Sequence, residues 1–411
     1  MLFRNDRDQG ISEQDREVIG AIDSKELVDF LRRLVRIPSI SRSKEESEIG
    51  LFLKEYLEKI GLTVSLQEVE KDRFNVIATL KGLGGGRTLL LNGHMDVNSP
   101  GAGWTKDPFG GVIEEGYMVG MGAVNMKGGD TALLMAVHAV KKAGIALRGD
   151  VILSFVVGEL QGGIGTIRML EQGVRADAFI LAEPSELLVL IRHTGMVHIH
   201  ITTIGRTCHI SSQEKGINAI QSMYDVIRRM EESSGEGGSK LFERVNVGSI
   251  RGGLSEEYHT WRPSLLADYC TATFDFRIPP GQTEGTLLEG IRKITEKVRE
   301  QRPGLEIKAE LVKPPSYYHM PPFGVDENEE IVRLLKKSHR VVTGQEPRIA
   351  DFPPYLFFAS DASHLSTQGE MPGVIYGPGG ETVSQPNERI RIDDVLTAAK
   401  VYALTILRFC S

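Results

Sequence analysis

Residues 89–96 have the sequence LLLNGHMD, an apolar run that ends in a histidine and an aspartate two positions apart. Three consecutive leucines are typical of a strand that is buried on both faces of a sheet. In α/β proteins, the loops that follow such strands are the usual place for ligands. The segment therefore predicts a central strand with His94 and Asp96 at a functional edge of the sheet.

The chain on either side of this strand alternates between helical and strand patterns from about residue 24 to about residue 190. The predicted helices are 25–35, 45–60 and 130–143, and the predicted strands are 75–80, 88–91, 151–157 and 178–181. Such alternation is typical of a sheet that is largely parallel and covered by helices. We therefore expect an α/β fold built on a helix-covered, mostly parallel sheet.

The pattern changes after Gly195. Residues 196–203 and 270–277 alternate between apolar and polar side chains, whereas residues 217–230 have helical spacing. This combination predicts an antiparallel sheet with amphipathic helices, and α/β character returns after residue 313, ending in a helix at 394–409. We predict an inserted α+β domain, 195–313, that interrupts an α/β domain made of residues 1–194 and 314–411.

The composition is that of an ordinary globular protein, with 48 Lys and Arg against 55 Asp and Glu and a net charge of −7. This balance gives no basic surface for nucleic acid, and no apolar run approaches the roughly 20 residues of a membrane helix. The first ten residues, MLFRNDRDQG, lack the apolar core of a secretion signal. Cys208, Cys270 and Cys410 are scattered, so we expect reduced thiols in a cytoplasmic protein.

Further motifs occur along the chain, several of them at the ends of predicted strands. They are GMGAVNMKGG at 120–129, GELQGGIGT at 158–166, AEPS at 182–185, GRTCH at 205–209, DFR at 275–277, ASDA at 359–362, GPG at 377–379 and QPNE at 385–388. In this order they resemble the dizinc amidohydrolase and peptidase family that includes acetylornithine deacetylase, succinyl-diaminopimelate desuccinylase, aminoacylase and glutamate carboxypeptidase. Several motifs in the right order are more specific than any one alone.

The resemblance implies a catalytic α/β domain, an inserted lid and dimerisation domain, and hydrolysis of an amide-type C–N bond. It matches His94 to a metal-binding histidine, Asp96 to the aspartate that orients this histidine, and Glu183 to a terminal metal ligand. It also matches Glu159 to the catalytic carboxylate, which would take a proton from water and return it to the leaving nitrogen.

Two matched residues lie in the predicted inserted domain. By the resemblance, His209 is a catalytic residue that stabilises the developing oxyanion, often across a dimer, and Arg277 binds a carboxylate of the substrate. We therefore expect a small carboxylated substrate, such as an N-acyl amino acid, a ureido acid or a cyclic amide, and a homodimer.

Three positions depart from the family's ligand set: the bridging aspartate is Asn125, the second glutamate of a pair is Leu160, and the late histidine is Ser384. A leucine has no lone pair, and neutral amide or hydroxyl oxygens are weak ligands. Two divalent ions would also bring four positive charges against two from Glu159 and Glu183, an excess that is costly in a buried cleft. We predict at most one divalent ion, most simply zinc.

This ion would be held by His94 and Glu183, with Asn125 or a solvent molecule completing its shell, and Asn125 would also contact the substrate. The sequence leaves open whether the protein binds this one ion or none, and whether Glu381 or His364 replaces a lost ligand. Two other functions also stay open. One is a non-catalytic descendant that binds a small ligand or an oligomer partner, and the other is a metal-independent isomerase or lyase.

Overall fold

A computed structural model describes residues 11–233, 241–259, 263–313, 318–352 and 354–411. The described chain divides into two compact units. The first contains the described residues of Met1–Arg192, Gly324–Tyr355 and Ser360–Ser411, and the second those of His193–Phe323 and Leu356–Ala359. The described residues of the predicted insertion lie within the second unit, which extends beyond it at both ends.

The strands and helices can be given in chain order. The strands are β1 (Thr63–Glu70), β2 (Arg73–Leu80), β3 (Leu89–His94), β4 (Val112–Glu114), β5 (Tyr117–Val119), β6 (Val151–Val156), β7 (Ala178–Leu181), β8 (Arg192–His193), β9 (Gly195–Ile204), β10 (Arg244–Gly253), β11 (Tyr269–Ile278), β12 (Glu306–Leu311), β13 (Phe323–Gly324), β14 (Gly373–Ile375), β15 (Gly380–Glu381) and β16 (Arg389–Arg391). The helices are α1 (Glu13–Ala21), α2 (Ser24–Val35), α3 (Glu45–Lys59), α4 (Gly128–Lys142), α5 (Ile164–Glu171), α6 (Ala219–Glu232), α7 (Glu284–Gln301), α8 (Glu330–Thr343), α9 (Ala362–Thr367) and α10 (Ile392–Cys410).

The first unit is built on a six-stranded sheet with the strand order β1-β2-β6-β3-β7-β14. Strand β3 pairs in parallel with β6 and β7, and β14 pairs in parallel with β7, whereas β1 and β2 form an antiparallel edge. All residues of β3 are buried, as its run of leucines predicts. The fold class expected from the sequence, a mostly parallel sheet with helices and a separate antiparallel sheet, is confirmed.

Helix α4 is almost wholly buried, and its first turn lies close to the ends of the central strands. Gly129 permits this approach, because a Cβ atom there would lie 2.2 Å from the carbonyl oxygen of Ala182, just after β7. The loop that bears Asn125 precedes this turn directly. The glycines of the 120–129 motif thus bring that loop to the edge of the sheet where β3 and β7 end.

The second unit has a four-stranded antiparallel sheet in the order β10-β11-β9-β12, packed against helices α6 and α7. Its core combines the inward residues of β9 and β11 with the apolar faces of both helices. Helix α6 begins at Ala219 and not at the predicted residue 217, because the side chain of Asn218 accepts a hydrogen bond from the N–H of Gln221 and caps it. None of the described helices combines the length and the apolar character needed to cross a membrane.

Candidate metal and catalytic site

Three buried side chains come together where neighbouring strands of the first unit end. His94 is the last residue of β3, Glu159 follows β6, and Glu183 follows β7. One ligand atom from each lies within 4.8 Å of the others. His94 Nε2 is 3.4 Å from Glu183 Oε1 and 3.9 Å from Glu159 Oε2. The parallel pairing of β3 with β6 and β7 therefore brings together residues that are far apart in the sequence.

His94 has a distinct partner on each ring nitrogen. Its Nδ1 lies 2.9 Å from the backbone carbonyl oxygen of Asp96, and its Nε2 lies 2.9 Å from Asn125 Oδ1. Because a carbonyl only accepts hydrogen bonds, Nδ1 carries a proton and Nε2 faces the oxygens of Asn125, Glu159 and Glu183. Burial opposes a charge on His94, but its contacts with Asp96 and Glu183 and the negative charge of Glu159 outweigh this and raise its pKa well above the usual value.

The residues around His94 Nε2 fit one divalent ion. In a tetrahedral zinc site with bonds of about 2.0–2.1 Å, neighbouring ligand atoms are about 3.3 Å apart. The distances from Nε2 to the oxygens of Asn125 and Glu183, 2.9 and 3.4 Å, lie on either side of this value, and the Glu159 oxygen is farther away at 3.9 Å. The two glutamates also supply the two negative charges that balance one such ion.

Asp96 joins the loop after β3 to the loop after β6. It is fully buried, its Oδ1 accepts the N–H of Glu159 at 3.2 Å, and its Oδ2 accepts the N–H of Leu160 at 3.3 Å and the hydroxyl of Ser41 at 2.9 Å. Burial raises its pKa, but its contact with the charged His94 and these hydrogen bonds lower it overall. Asp96 therefore contacts both His94 and the backbone of the loop that carries Glu159.

Glu159 is 7% exposed, so its carboxyl is almost wholly removed from solvent. Burial raises its pKa well above the usual value; the charge of His94 opposes this, and the charges of Glu183 and Asp361 add to it. A carboxyl in such surroundings is suited to hold a proton and to release it.

The positions that depart from the family pattern do not form a second cluster among the described residues. Leu160 is half-buried and Ser384 is exposed. Glu381, a candidate replacement ligand, accepts a hydrogen bond of 2.9 Å from Arg389 Nε, and the buried His364 bonds through Nε2 to the carbonyl of Gly162 at 2.8 Å. Neither belongs to the group formed by His94, Glu159 and Glu183.

The two predicted residues of the inserted domain lie in the second unit. His209 is exposed and caps the turn Ile210–Lys215, with its Nδ1 2.9 Å from the hydroxyl of Ser211. Arg277 is half-buried on β11, where its Nη2 donates to Asp275 Oδ2 at 2.8 Å. The catalytic role of His209 and the carboxylate-binding role of Arg277 remain predictions.

Sequence reasoning missed two buried polar residues that hold the loops of the site. Asn75 on β2 accepts the N–H of Val157 at 3.1 Å and donates to the carbonyl of Gly165 at 2.8 Å, so it contacts both ends of the loop that carries Glu159. Glu388 accepts the backbone N–H of Asn125. The available signals were an asparagine at the start of the mostly apolar segment NVIATL and an acidic residue within the QPNE motif.

Comparisons with known proteins agree with the fold and the arrangement of motifs. Residues 90–408 match the sequence model of a protein family, described as Peptidase family M20/M25/M40. Two curated relatives are N-formyl-4-amino-5-aminomethyl-2-methylpyrimidine deformylases. The one from Halalkalibacterium halodurans is 27% identical over 96% of this chain and 97% of its own, and the one from Bacillus subtilis is 26% identical over 94% and 95%.

Solved structures with the same fold include two peptidases. A tripeptidase from Staphylococcus aureus subsp. aureus Mu50 has a TM-score of 0.77 at 24% identity, with 94% of this chain and 98% of that chain covered. Human carnosine dipeptidase 1 has a TM-score of 0.74 at 14% identity, with 97% and 99% covered. At identities of 24% and 14%, this similarity shows a shared fold and does not show a shared function.

Proposed function

The chain belongs to peptidase family M20/M25/M40 and is a hydrolase of amide-type C–N bonds, and on this basis we propose its catalytic residues, its metal and its substrate. Glu159 is the general base and acid, and one zinc ion is bound by His94 and Glu183, with Asn125 completing the shell. The observation that carries this proposal is the buried group of His94, Glu159 and Glu183 at the ends of three neighbouring strands.

The proposed substrate is a small N-acylated amine. Two relatives that align over nearly their whole length are named for removing a formyl group from an aminomethylpyrimidine, so an N-formyl amine is the first substrate to test. N-acyl amino acids, ureido acids and cyclic amides come next, with Arg277 as the proposed partner of a substrate carboxylate. To serve there, Arg277 would use guanidinium N–H groups that Asp275 leaves free.

Glu159 is proposed to accept one proton from water and later to donate it to the leaving nitrogen. Its carboxylate takes a proton from water as the water oxygen bonds to the carbonyl carbon of the substrate. The same carboxyl then gives the proton to the amide nitrogen as the C–N bond breaks, so the products are an acid and an amine. When bound, the divalent ion supplies positive charge that polarises the carbonyl. His209 is proposed to stabilise the developing oxyanion.

The catalytic proposal is tested by comparing two glutamine variants. Glu159→Gln keeps the size of the side chain but cannot accept the proton from water, so the rate of amine release from an N-formyl substrate should fall by about 10²–10⁴-fold. Glu171→Gln is the matched control, because Glu171 is an exposed residue of α5. A Glu159→Gln protein that is as fast as the parent would show that another group moves the proton.

The metal proposal is tested by measuring metal content. Histidine nitrogen and carboxylate oxygen are donors that suit zinc, whereas the neutral amide of Asn125 makes this site weaker than one with three charged or imidazole ligands. Equilibrium dialysis against Zn²⁺ followed by elemental analysis should therefore give at most one ion per chain. Two tightly bound ions per chain would contradict the proposal.

We also propose a homodimer formed through the second unit. Strand β10 is at the end of the strand order β10-β11-β9-β12, so one of its edges has no partner strand in the part of the chain that the structure describes. Ile220 and Tyr224 on α6 are 42% and 64% exposed, and Ile250 on β10 is 54% exposed. An unpaired edge beside exposed apolar side chains favours pairing with a second copy.

Analytical ultracentrifugation tests the dimer. The wild-type protein should sediment as a dimer, and Tyr224→Glu should shift it toward the monomer because it places a charge within the apolar patch. Glu231→Gln, at the end of the same helix, is the control. A wild-type protein that stays monomeric at every concentration would refute this proposal.

A cytoplasmic location is also proposed. Cys208, Cys270 and Cys410 are all free thiols, which is the usual state of cysteines in the cytoplasm, and the two deformylase relatives are bacterial proteins. Fractionation of the cells that produce the protein tests this, and recovery from a cell-envelope fraction would contradict it.

A further inference from the structure

Glu388 is a buried carboxylate that connects two loops of the first unit. Its side chain is 0% exposed. Its Oε1 accepts the backbone N–H groups of Val124 at 2.8 Å and Asn125 at 3.1 Å, and its Oε2 accepts the backbone N–H of Ser384 at 3.1 Å. One side chain therefore holds the loop before α4 and the loop that precedes β16.

The contact with Asn125 leads directly to the site. The backbone nitrogen of Asn125 is fixed by Glu388, and the side-chain Oδ1 of Asn125 lies 2.9 Å from His94 Nε2. The backbone of Glu388 also contacts this segment, because its carbonyl oxygen accepts the N–H of Gly120 at 2.9 Å. Glu388 thus fixes the backbone from which the Asn125 amide reaches His94.

We propose that Glu388 is a positioning residue for the metal centre, and that it acts by fixing Asn125 beside His94. The inference rests on the proposed function, because it takes Asn125 and His94 as neighbours of the bound ion. Loss of a residue that orients a metal ligand typically lowers metal affinity by about 10–100-fold. A purely structural role would instead lower the stability of the metal-free protein and leave the Zn²⁺ affinity of the folded protein unchanged.

Glu388→Gln is the deciding variant, because Glu388→Ala leaves a buried cavity that can prevent folding. Glutamine fills the same volume, but its NH₂ group cannot accept a hydrogen bond, so one of the two loops loses its acceptor. The matched control is Glu381→Gln, which changes an exposed glutamate of the same segment that pairs with Arg389. Asn125→Ala and the double variant Asn125→Ala/Glu388→Gln complete the set.

The measurement is the dissociation constant for Zn²⁺, obtained with the full chain by competition with a chromophoric chelator. Thermal unfolding of each metal-free protein is recorded alongside. We expect Glu388→Gln to bind Zn²⁺ about 10–100-fold more weakly, and Glu381→Gln to bind it like the parent. Because Glu388 acts through Asn125, the double variant should bind no more weakly than Asn125→Ala alone.

Three results would overturn the inference, and the first two can be told apart from failure of the proposed function. If Asn125→Ala weakens Zn²⁺ binding and Glu388→Gln does not, the metal site stands and the role of Glu388 is wrong. If the effects of the two substitutions add fully in the double variant, Glu388 does not act through Asn125. If Asn125→Ala itself changes nothing, the proposed role of Asn125 is wrong and the inference falls with it.

Discussion

Asn75→Ala should both destabilise the protein and loosen the loop that carries Glu159. The amide of Asn75 makes three hydrogen bonds: it accepts from the N–H of Val157 at 3.1 Å and donates to Gly165 O and Gln67 Oε1 at 2.8 Å each. Alanine removes all three and leaves the buried N–H of Val157 without its acceptor. The unsatisfied N–H of Val157 costs about 1–3 kcal/mol and each of the other two lost hydrogen bonds about 0.5–1.5 kcal/mol, which together give about 2–6 kcal/mol.

The assay is urea unfolding of the metal-free protein, followed by circular dichroism and extrapolated linearly to water. Asn328→Ala is the control, because Asn328 is an exposed residue before α8 and should change the free energy of unfolding by less than about 0.5 kcal/mol. Asn75→Ala should also lower kcat more than it raises KM, since Glu159 moves and not the substrate-binding groups. A loss of stability below about 1 kcal/mol would refute the reasoning that Asn75 holds the loop.

Three further predictions concern charge and metal content. Glu46→Ala should lower the free energy of unfolding, measured in urea titrations, by about 3–5 kcal/mol. The reason is that Arg73 Nε lies 2.6 Å from Glu46, so the substitution leaves the buried guanidinium without its main partner. A loss as small as that of an exposed ion pair would contradict this. The triple variant Asn125→Asp/Leu160→Glu/Ser384→His restores the family's ligands. It should raise the zinc content to two ions per chain in elemental analysis. A zinc content that stays at one would show that more than these side chains was lost. Burial and the nearby charge of Arg277 lower the pKa of His193 to about 4. The unfolded chain therefore binds more protons than the folded protein between about pH 6.5 and pH 4. As the pH falls through this window, the free energy of unfolding falls, by about 3 kcal/mol at the lower end. His193→Gln should flatten this part of a stability profile measured by urea unfolding from pH 4 to pH 7, and an unchanged profile would refute the assignment.

The ligand atoms around His94 and their total charge both favour a single metal ion. The oxygens that face His94 Nε2 come from Asn125, Glu159 and Glu183, and only the two glutamates carry charge. The half-buried Leu160 offers no electron pair at the position where the family pattern places a carboxylate. We therefore propose that activity depends on Glu159 with at most one ion, and the glutamine variant at position 159 tests this proposal.

Much of the first unit could be predicted because its elements follow from local patterns. The helix expected at 45–60 is α3 (Glu45–Lys59), and the strand expected at 178–181 is β7 (Ala178–Leu181). Boundaries were less accurate where a side chain or a glycine sets them, as at Asn218 before α6. Helix α4 begins at Gly128, two residues before the predicted start, and Gly129 fits its first turn against the end of β7.

The site residues at strand ends could be predicted because an apolar run and the polar residue that follows it are adjacent in the sequence. His94, Glu159 and Glu183 were found in this way and through the family resemblance, and the structure places them together. Their proposed roles remain to be tested, as do those of His209 and Arg277. The question about Glu381 was decided by its neighbour Arg389, which binds it on the surface.

The sequence by itself determined the fold class, the central strands of both sheets and the identity of the acidic and imidazole groups, because each follows from residues that are close together along the backbone. Only the tertiary structure decided which distant groups hold the site in place. Asn75 meets Val157 across 82 positions, and Glu388 meets Asn125 across 263. Such contacts leave no periodic signal, since a buried polar side chain is matched to its partner by the packing of separate segments and not by its neighbours in the chain.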